Sequence, residues 1–77
     1  MLSINKSFVR KITLGAKAYL VEQDKIKKTI TIQDKKTKEY LYKYNANTGD
    51  VIYAIMFENL IKLIMHYAHI DRYVLHD

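Results

Sequence analysis

Thr48 to Leu75, TGDVIYAIMFENLIKLIMHYAHIDRYVL, is the largest apolar mass in a chain of 77 residues, and its reading decides the fold. As a helix it has start signals. Asn47 or Thr48 can cap, and Asp50 lies near the positive end of the helix dipole. Ile52, Ile55, Met56, Leu60, Leu63, Tyr67, Ile70 and Val74 recur at the i, i+3, i+4, i+7 spacing of one buried face. Glu58, Asn59, Lys62, His66 and His69 form only a narrow polar stripe. Val51, Tyr53, Phe57, Ile61, Ile64 and Met65 are left as further apolar surface. A helix so dry is buried on two sides. One side would meet the chain's own sheet and the other a second subunit, which makes Phe57, Ile61, Ile64 and Met65 the expected homodimer contacts.

The same stretch has a rival reading. Asn, Thr and Gly between Tyr44 and Val51 supply turn chemistry between β-rich runs. Val51–Phe57 would then be a buried strand, with the helix starting at Glu58. Capping and periodicity together favour the long helix over 48–75, packed on whatever sheet precedes it.

That sheet is legible upstream. Lys28-Thr29-Ile30-Thr31-Ile32-Gln33 alternates strictly, Asp34-Lys35-Lys36-Thr37 is a polar turn, and Lys38 to Tyr44 alternates again. This predicts a β-hairpin with Tyr40, Tyr42 and Tyr44 on one face. Gln23-Asp24-Lys25 marks an earlier turn, so Ala16–Lys43 reads as a three-strand meander. Phe8–Thr13 and Ala16–Val21 read as strands about a tight turn at Gly15. A helix there would place Gly15 in its middle, at about 1 kcal/mol relative to Ala. Met1–Ser7 has little to pack and is expected to be loosely ordered. The chain shows no internal repeat and no linker. The expected fold is α+β in a single domain over 1–77. It has a basic β region over 8–44, an antiparallel meander of 3–4 strands, and then one long C-terminal helix packed on the sheet.

Composition narrows the function classes. A domain of this size is only marginally able to build a core alone, and with no cysteine it has neither disulfide framework nor thiolate metal site. Oligomerisation is the remaining stabilising device. No secretory leader is visible, and Glu58, Asn59, Lys62, His66 and His69 interrupt residues 51–70 as a membrane span. A membrane partner is disfavoured and a cytoplasmic location expected. Residues 1–43 hold 11 of the 13 Lys and Arg against 4 of the 8 acids, a net +7, whereas residues 44–77 are net −2. Such a basic half attracts nucleic acid or an acidic protein. Lys, Ile, Tyr and Asn supply 32 of the 77 residues, a bias toward AT-rich codons that suits a phage or mobile-element gene.

The phrase Tyr42-Lys43-Tyr44-Asn45-Ala46-Asn47-Thr48-Gly49-Asp50-Val51-Ile52 resembles the strand–turn–strand of PepSY-type domains, where a D-x-x-T-G-x-V turn recurs. Asn45 stands where that pattern has an acid, and the likeness covers eleven residues. No function is carried across on it.

Lys25, Lys27, Lys28, Lys35, Lys36, Lys38 and Lys43 form the expected partner or nucleic-acid surface, with Tyr40, Tyr42 and Tyr44 as rings on which bases could stack. The competing role for those rings is packing under the helix. His66 and His69 are i, i+3 and could share a metal, but further ligands are limited to Glu58, Asp71 and His76, and Lys62 opposes a cation. No metal, cofactor or catalytic residue is assigned. The acids are scattered among lysines, Ser3 and Ser7 lie at the start, and no nucleophile is in register with a histidine. The expected function is a small non-enzymatic module, a phage or mobile-element inhibitor or modulator of a larger host protein with an acidic surface, acting as a homodimer. The alternative is a nucleic-acid-binding protein that uses the same lysines.

Overall fold

The computed structural model describes residues 7–75. Five strands, β1 (Ser7–Leu14), β2 (Lys17–Asp24), β3 (Thr29–Asp34), β4 (Tyr40–Asn45) and β5 (Asp50–Ala54), precede one helix, α1 (Glu58–Tyr67). All five pair antiparallel in sequence order to form one sheet. The class is α+β, with one strand more than the 3–4 expected and a helix of 10 residues rather than one spanning 48–75. Residues 1–6 of the stretch expected to be loose lie outside the described residues; Ser7 opens β1.

The strands about Gly15 form because Leu14 pairs with Lys17 across a two-residue loop, and Gly15 takes the left-handed conformation (φ +62°) that such a loop needs. The other three hairpin turns share one construction. Asp24 Oδ1 accepts the N–H groups of Ile26 and Lys27, Asp34 Oδ1 those of Lys36 and Thr37, and Asn45 Oδ1 those of Asn47 and Thr48, all at 2.8–3.2 Å. Four residues after each of these side chains comes a left-handed residue: Lys28 (φ +58°), Lys38 (φ +67°) and Gly49 (φ +81°). A short acceptor at the start and a positive φ at the end close each reversal. The turn recurs three times, with two lysines standing where glycine is the easier residue.

One face of the sheet carries the core. Ile12, Tyr19, Val21, Ile30, Ile32, Tyr42, Tyr44 and Val51 are buried there with Ile61, Ile64, Met65 and Ala68. On α1 these last four follow i, i+3, i+4, i+7, so the buried face is the one the sequence reading left for a partner. Ile61, Ile64 and Met65 are each 0% exposed and cannot be dimer contacts; Leu63 and Tyr67, expected inside, are 41% and 51% exposed. The reason lies upstream. Val51 pairs with Tyr44 and Ala54 with Tyr42 in β5, so no helix exists before Glu58 to set the expected phase. With apolar residues on both sides of 58–67, only the sheet decides which side turns inward.

The helix ends without glycine or proline. Ile70 N–H donates to Met65 O and His69 N–H to His66 O, a Schellman closure with His69 in the left-handed position (φ +60°). The tail then folds back, and Ile70, Tyr73, Val74 and Leu75 pack against the core.

Candidate partner surfaces

The residues expected to form one basic surface fall in three places. Lys25, Lys27 and Lys28 lie in the β2–β3 turn, Lys35, Lys36 and Lys38 in the β3–β4 turn, and Lys43 within β4. In a meander these two turns sit at opposite ends of the strand between them, six residues or about 20 Å apart. The first cluster is partly engaged: the Lys25 ammonium stands 4.5 Å over the Phe8 ring. Lys43 is half-buried, paired with Thr31 on one side and Tyr53 on the other.

The second cluster gains two lysines that the sequence order did not connect with it. The β1–β2 and β3–β4 turns share one end of the sheet, and the Lys35 N–H donates to Ala18 O (3.0 Å), locking the two together. A depression of about 540 Å³ between them is lined by Lys17, Lys35 and Lys36 with Asp34. Lys11 reaches the same place. It is the main reason that the Lys35 ammonium is held below the ordinary lysine value, since a second ammonium close by disfavours the charged form; desolvation and the charge of Lys38 add to this. Like charge is crowded here, with Asp34 as the counter-charge to Lys17.

Asp34 is the one charged residue buried among the described residues, at 7% exposure. Its carboxyl is held below the usual value, first by the Thr37 N–H and also by the Lys36 N–H and Lys17, against the opposing effect of burial. Lys17 Nζ stands 3.7 Å from Asp34 Oδ2. Asp34 thus closes its own turn through Oδ1 and counters Lys17 through Oδ2, a single negative charge among Lys11, Lys17, Lys35, Lys36 and Lys38.

The tyrosines divide. Tyr42 and Tyr44 are buried in the core beneath the helix and tail, which removes them as a stacking platform. Tyr40 lies on the opposite face, 48% exposed. A bulge makes the difference: Ile32 pairs with Tyr42 but Gln33 with Tyr40, so Leu41 is the extra residue and packs toward the core. There Tyr40 joins Tyr53, whose hydroxyl is pushed up by partial burial and then by Tyr40 and Glu39. This outer face is mixed in charge: Glu22, Asp24, Lys27 and Lys43 line one shallow hollow with the two rings.

His66, His69 and Asp71 edge another hollow, and no trio of His, Cys, Asp or Glu side chains that could hold a metal ion occurs among the described residues. His76 lies outside them. Among the described residues no helix is long and apolar enough to cross a membrane. Asn45 Oδ1, at the position where the PepSY-type pattern has an acid, accepts the N–H groups of Asn47 and Thr48. Comparisons with family models, curated proteins and solved structures find no match for this chain.

Proposed function

We propose that this chain is a small non-enzymatic protein-binding module, a phage- or mobile-element-encoded inhibitor or modulator that docks on an acidic surface of a host protein in the cytoplasm and acts as a homodimer. The observation that carries the docking is the lysine end of the sheet. Lys11 of β1, Lys17 at the start of β2 and Lys35, Lys36 and Lys38 of the β3–β4 turn gather at this end, with Asp34 the one buried acid among them. Positive charge crowded on a rigid support favours an acidic partner by steering and by relief of repulsion on contact. The phage or mobile-element part rests on composition alone.

Nucleic acid is the second reading, favoured by Tyr40 and Tyr53 beside Lys43. Against it, Glu22 and Asp24 share that face, and the lysines follow no single track that a phosphate backbone could run along. The test compares capture of host proteins by the wild-type chain and by Lys35→Glu/Lys36→Glu, alongside binding to labelled single- and double-stranded DNA and RNA at about 50 and 200 mM salt. The expected result is a host protein held by the wild type and lost with the double substitution. Micromolar or tighter nucleic-acid binding that weakens steeply from the lower to the higher salt and vanishes in the same variant would put the second reading first.

A further inference from the structure

The opposite end of the sheet gathers cations as well, and here the tail contributes. Ala46 N–H donates to Lys28 O (2.7 Å), which ties the β2–β3 and β4–β5 turns together through their backbones. Beside them lies a depression of about 450 Å³, within the range of small-ligand sites. Lys25 and Lys28 line it from the β2–β3 turn, and Arg72 lines it from the tail beyond α1.

The cations are held in place by the fold. Lys28 closes its turn in the left-handed conformation (φ +58°). Two residues beyond Arg72, the Val74 carbonyl accepts the Tyr42 hydroxyl, so the guanidinium springs from an anchored backbone. The Lys25 ammonium stands 4.5 Å over the Phe8 ring, a contact on one side of a group that has three donors. Arg72 is one of the two arginines in the chain, and its guanidinium has no ion pair or hydrogen bond to another described residue. Asp24 also lines the depression, and its charge opposes an anion. Its Oδ1 accepts the N–H groups of Ile26 and Lys27, at 2.9 and 3.0 Å. Three cations against this one carboxylate leave two positive charges in excess.

That excess matches a dianion. A phosphate offers oxygens to three separate donors where a carboxylate offers two, and the guanidinium fork takes two of them at once. The Thr29 hydroxyl and the Gln23 amide stand on the wall as uncharged donors, and Ile30 and Ala46 supply apolar surface for a carbon portion. A depression bounded by two turns and a tail suits a single phosphate rather than an extended phosphate backbone. We infer that this depression binds the phosphate group of a small molecule, free phosphate or a small phosphomonoester, through Arg72, Lys25 and Lys28. The site lies at the far end of β3 from the lysine end and does not rest on the docking proposed there.

The experiment is a titration followed by amide nitrogen–proton correlation NMR, with inorganic phosphate, phenyl phosphate and acetate as probes at a constant ionic strength of about 0.15 M. Wild type is compared with Arg72→Gln, Lys25→Gln and, as a control at the other end, Lys35→Glu/Lys36→Glu. Both phosphates should give saturable shifts in the millimolar range, centred on Gln23, Lys28, Thr29, Ala46 and Arg72, with acetate roughly tenfold weaker. Arg72→Gln should weaken phosphate binding about tenfold, and Lys25→Gln should weaken it too, both with unchanged circular dichroism spectra. The control should bind phosphate as the wild type does. Tighter binding of phenyl phosphate would identify a phosphomonoester as the ligand, and equal binding free phosphate. Shifts that do not saturate, or that fall equally on Lys35 and Lys36, overturn the inference. So does phosphate binding unchanged in Arg72→Gln, or acetate bound as well as phosphate. Binding confined to labelled single-stranded DNA and lost in Arg72→Gln overturns it in favour of a nucleic-acid backbone.

Discussion

The hydroxyl of Tyr42 donates to the carbonyl of Val74, joining the middle of β4 to a tail 32 residues later. Burial pushes the Tyr42 hydroxyl up to about 12, and Tyr44 and Tyr73 add to this. The bond fixes the tail over a ring that is itself fully buried. It seals the open side of the core beyond the end of α1.

Removing it tests that role. Tyr42→Phe should cost about 1–2 kcal/mol, because the Val74 carbonyl loses its donor while the ring still packs. The sign with pH is fixed by the raised value. The contribution of Tyr42 is fully present below about pH 10 and is lost as pH rises toward about 12, since the unfolded chain releases the proton first. Urea melts of both proteins between neutral pH and pH 11 should converge as pH rises.

Asp34 sets the acid limb. Its lowered value means that its contribution is present above the ordinary carboxylate value and is lost as pH falls through the folded one. Asp34→Asn keeps an oxygen for the Lys36 and Thr37 N–H groups and removes the titration. The variant's midpoint should therefore vary less with pH below about 4 than the wild type's, as thermal melts would record.

The phase of α1 can be read by truncation. Ile64→Ala should cost about 2–5 kcal/mol, enough to unfold much of so small a domain, whereas Leu63→Ala should change stability by less than about 1 kcal/mol. Equal costs would contradict the face that meets the sheet.

Gly49 isolates backbone conformation from packing. A Cβ there meets nothing within 4 Å, yet φ is +81°. Gly49→Ala should therefore cost about 1 kcal/mol, and Gly49→Asn less, since Asn tolerates the left-handed region. Replacing Lys38 by Gly should run the other way by some tenths of a kcal/mol, the strain relieved being partly offset by added freedom in the unfolded chain. Chemical denaturation of the three variants measures all of this.

Alternation through Thr29–Gln33 and Lys38–Tyr44, with a polar turn at Asp34, determines the β3–β4 hairpin and the α+β class from sequence alone, whereas β5 reads there as the start of a long helix. Those signals are local: side chains alternate within one strand, and a turn closes on its own backbone. Where α1 begins, and which of its apolar sides is inside, were settled only by tertiary structure. Periodicity cannot rank Ile61 over Leu63 when both faces of a helix are greasy; contact with Tyr42 and its neighbours in the sheet's core can. Tyr40 changed faces through a single extra residue, Leu41, which leaves no mark in the composition. The lysine end likewise came from topology. Lys11 and Lys17 meet Lys35, Lys36 and Lys38 because a meander returns alternate turns to the same end, and charge gathered across such a distance in sequence becomes visible only once the strands are paired.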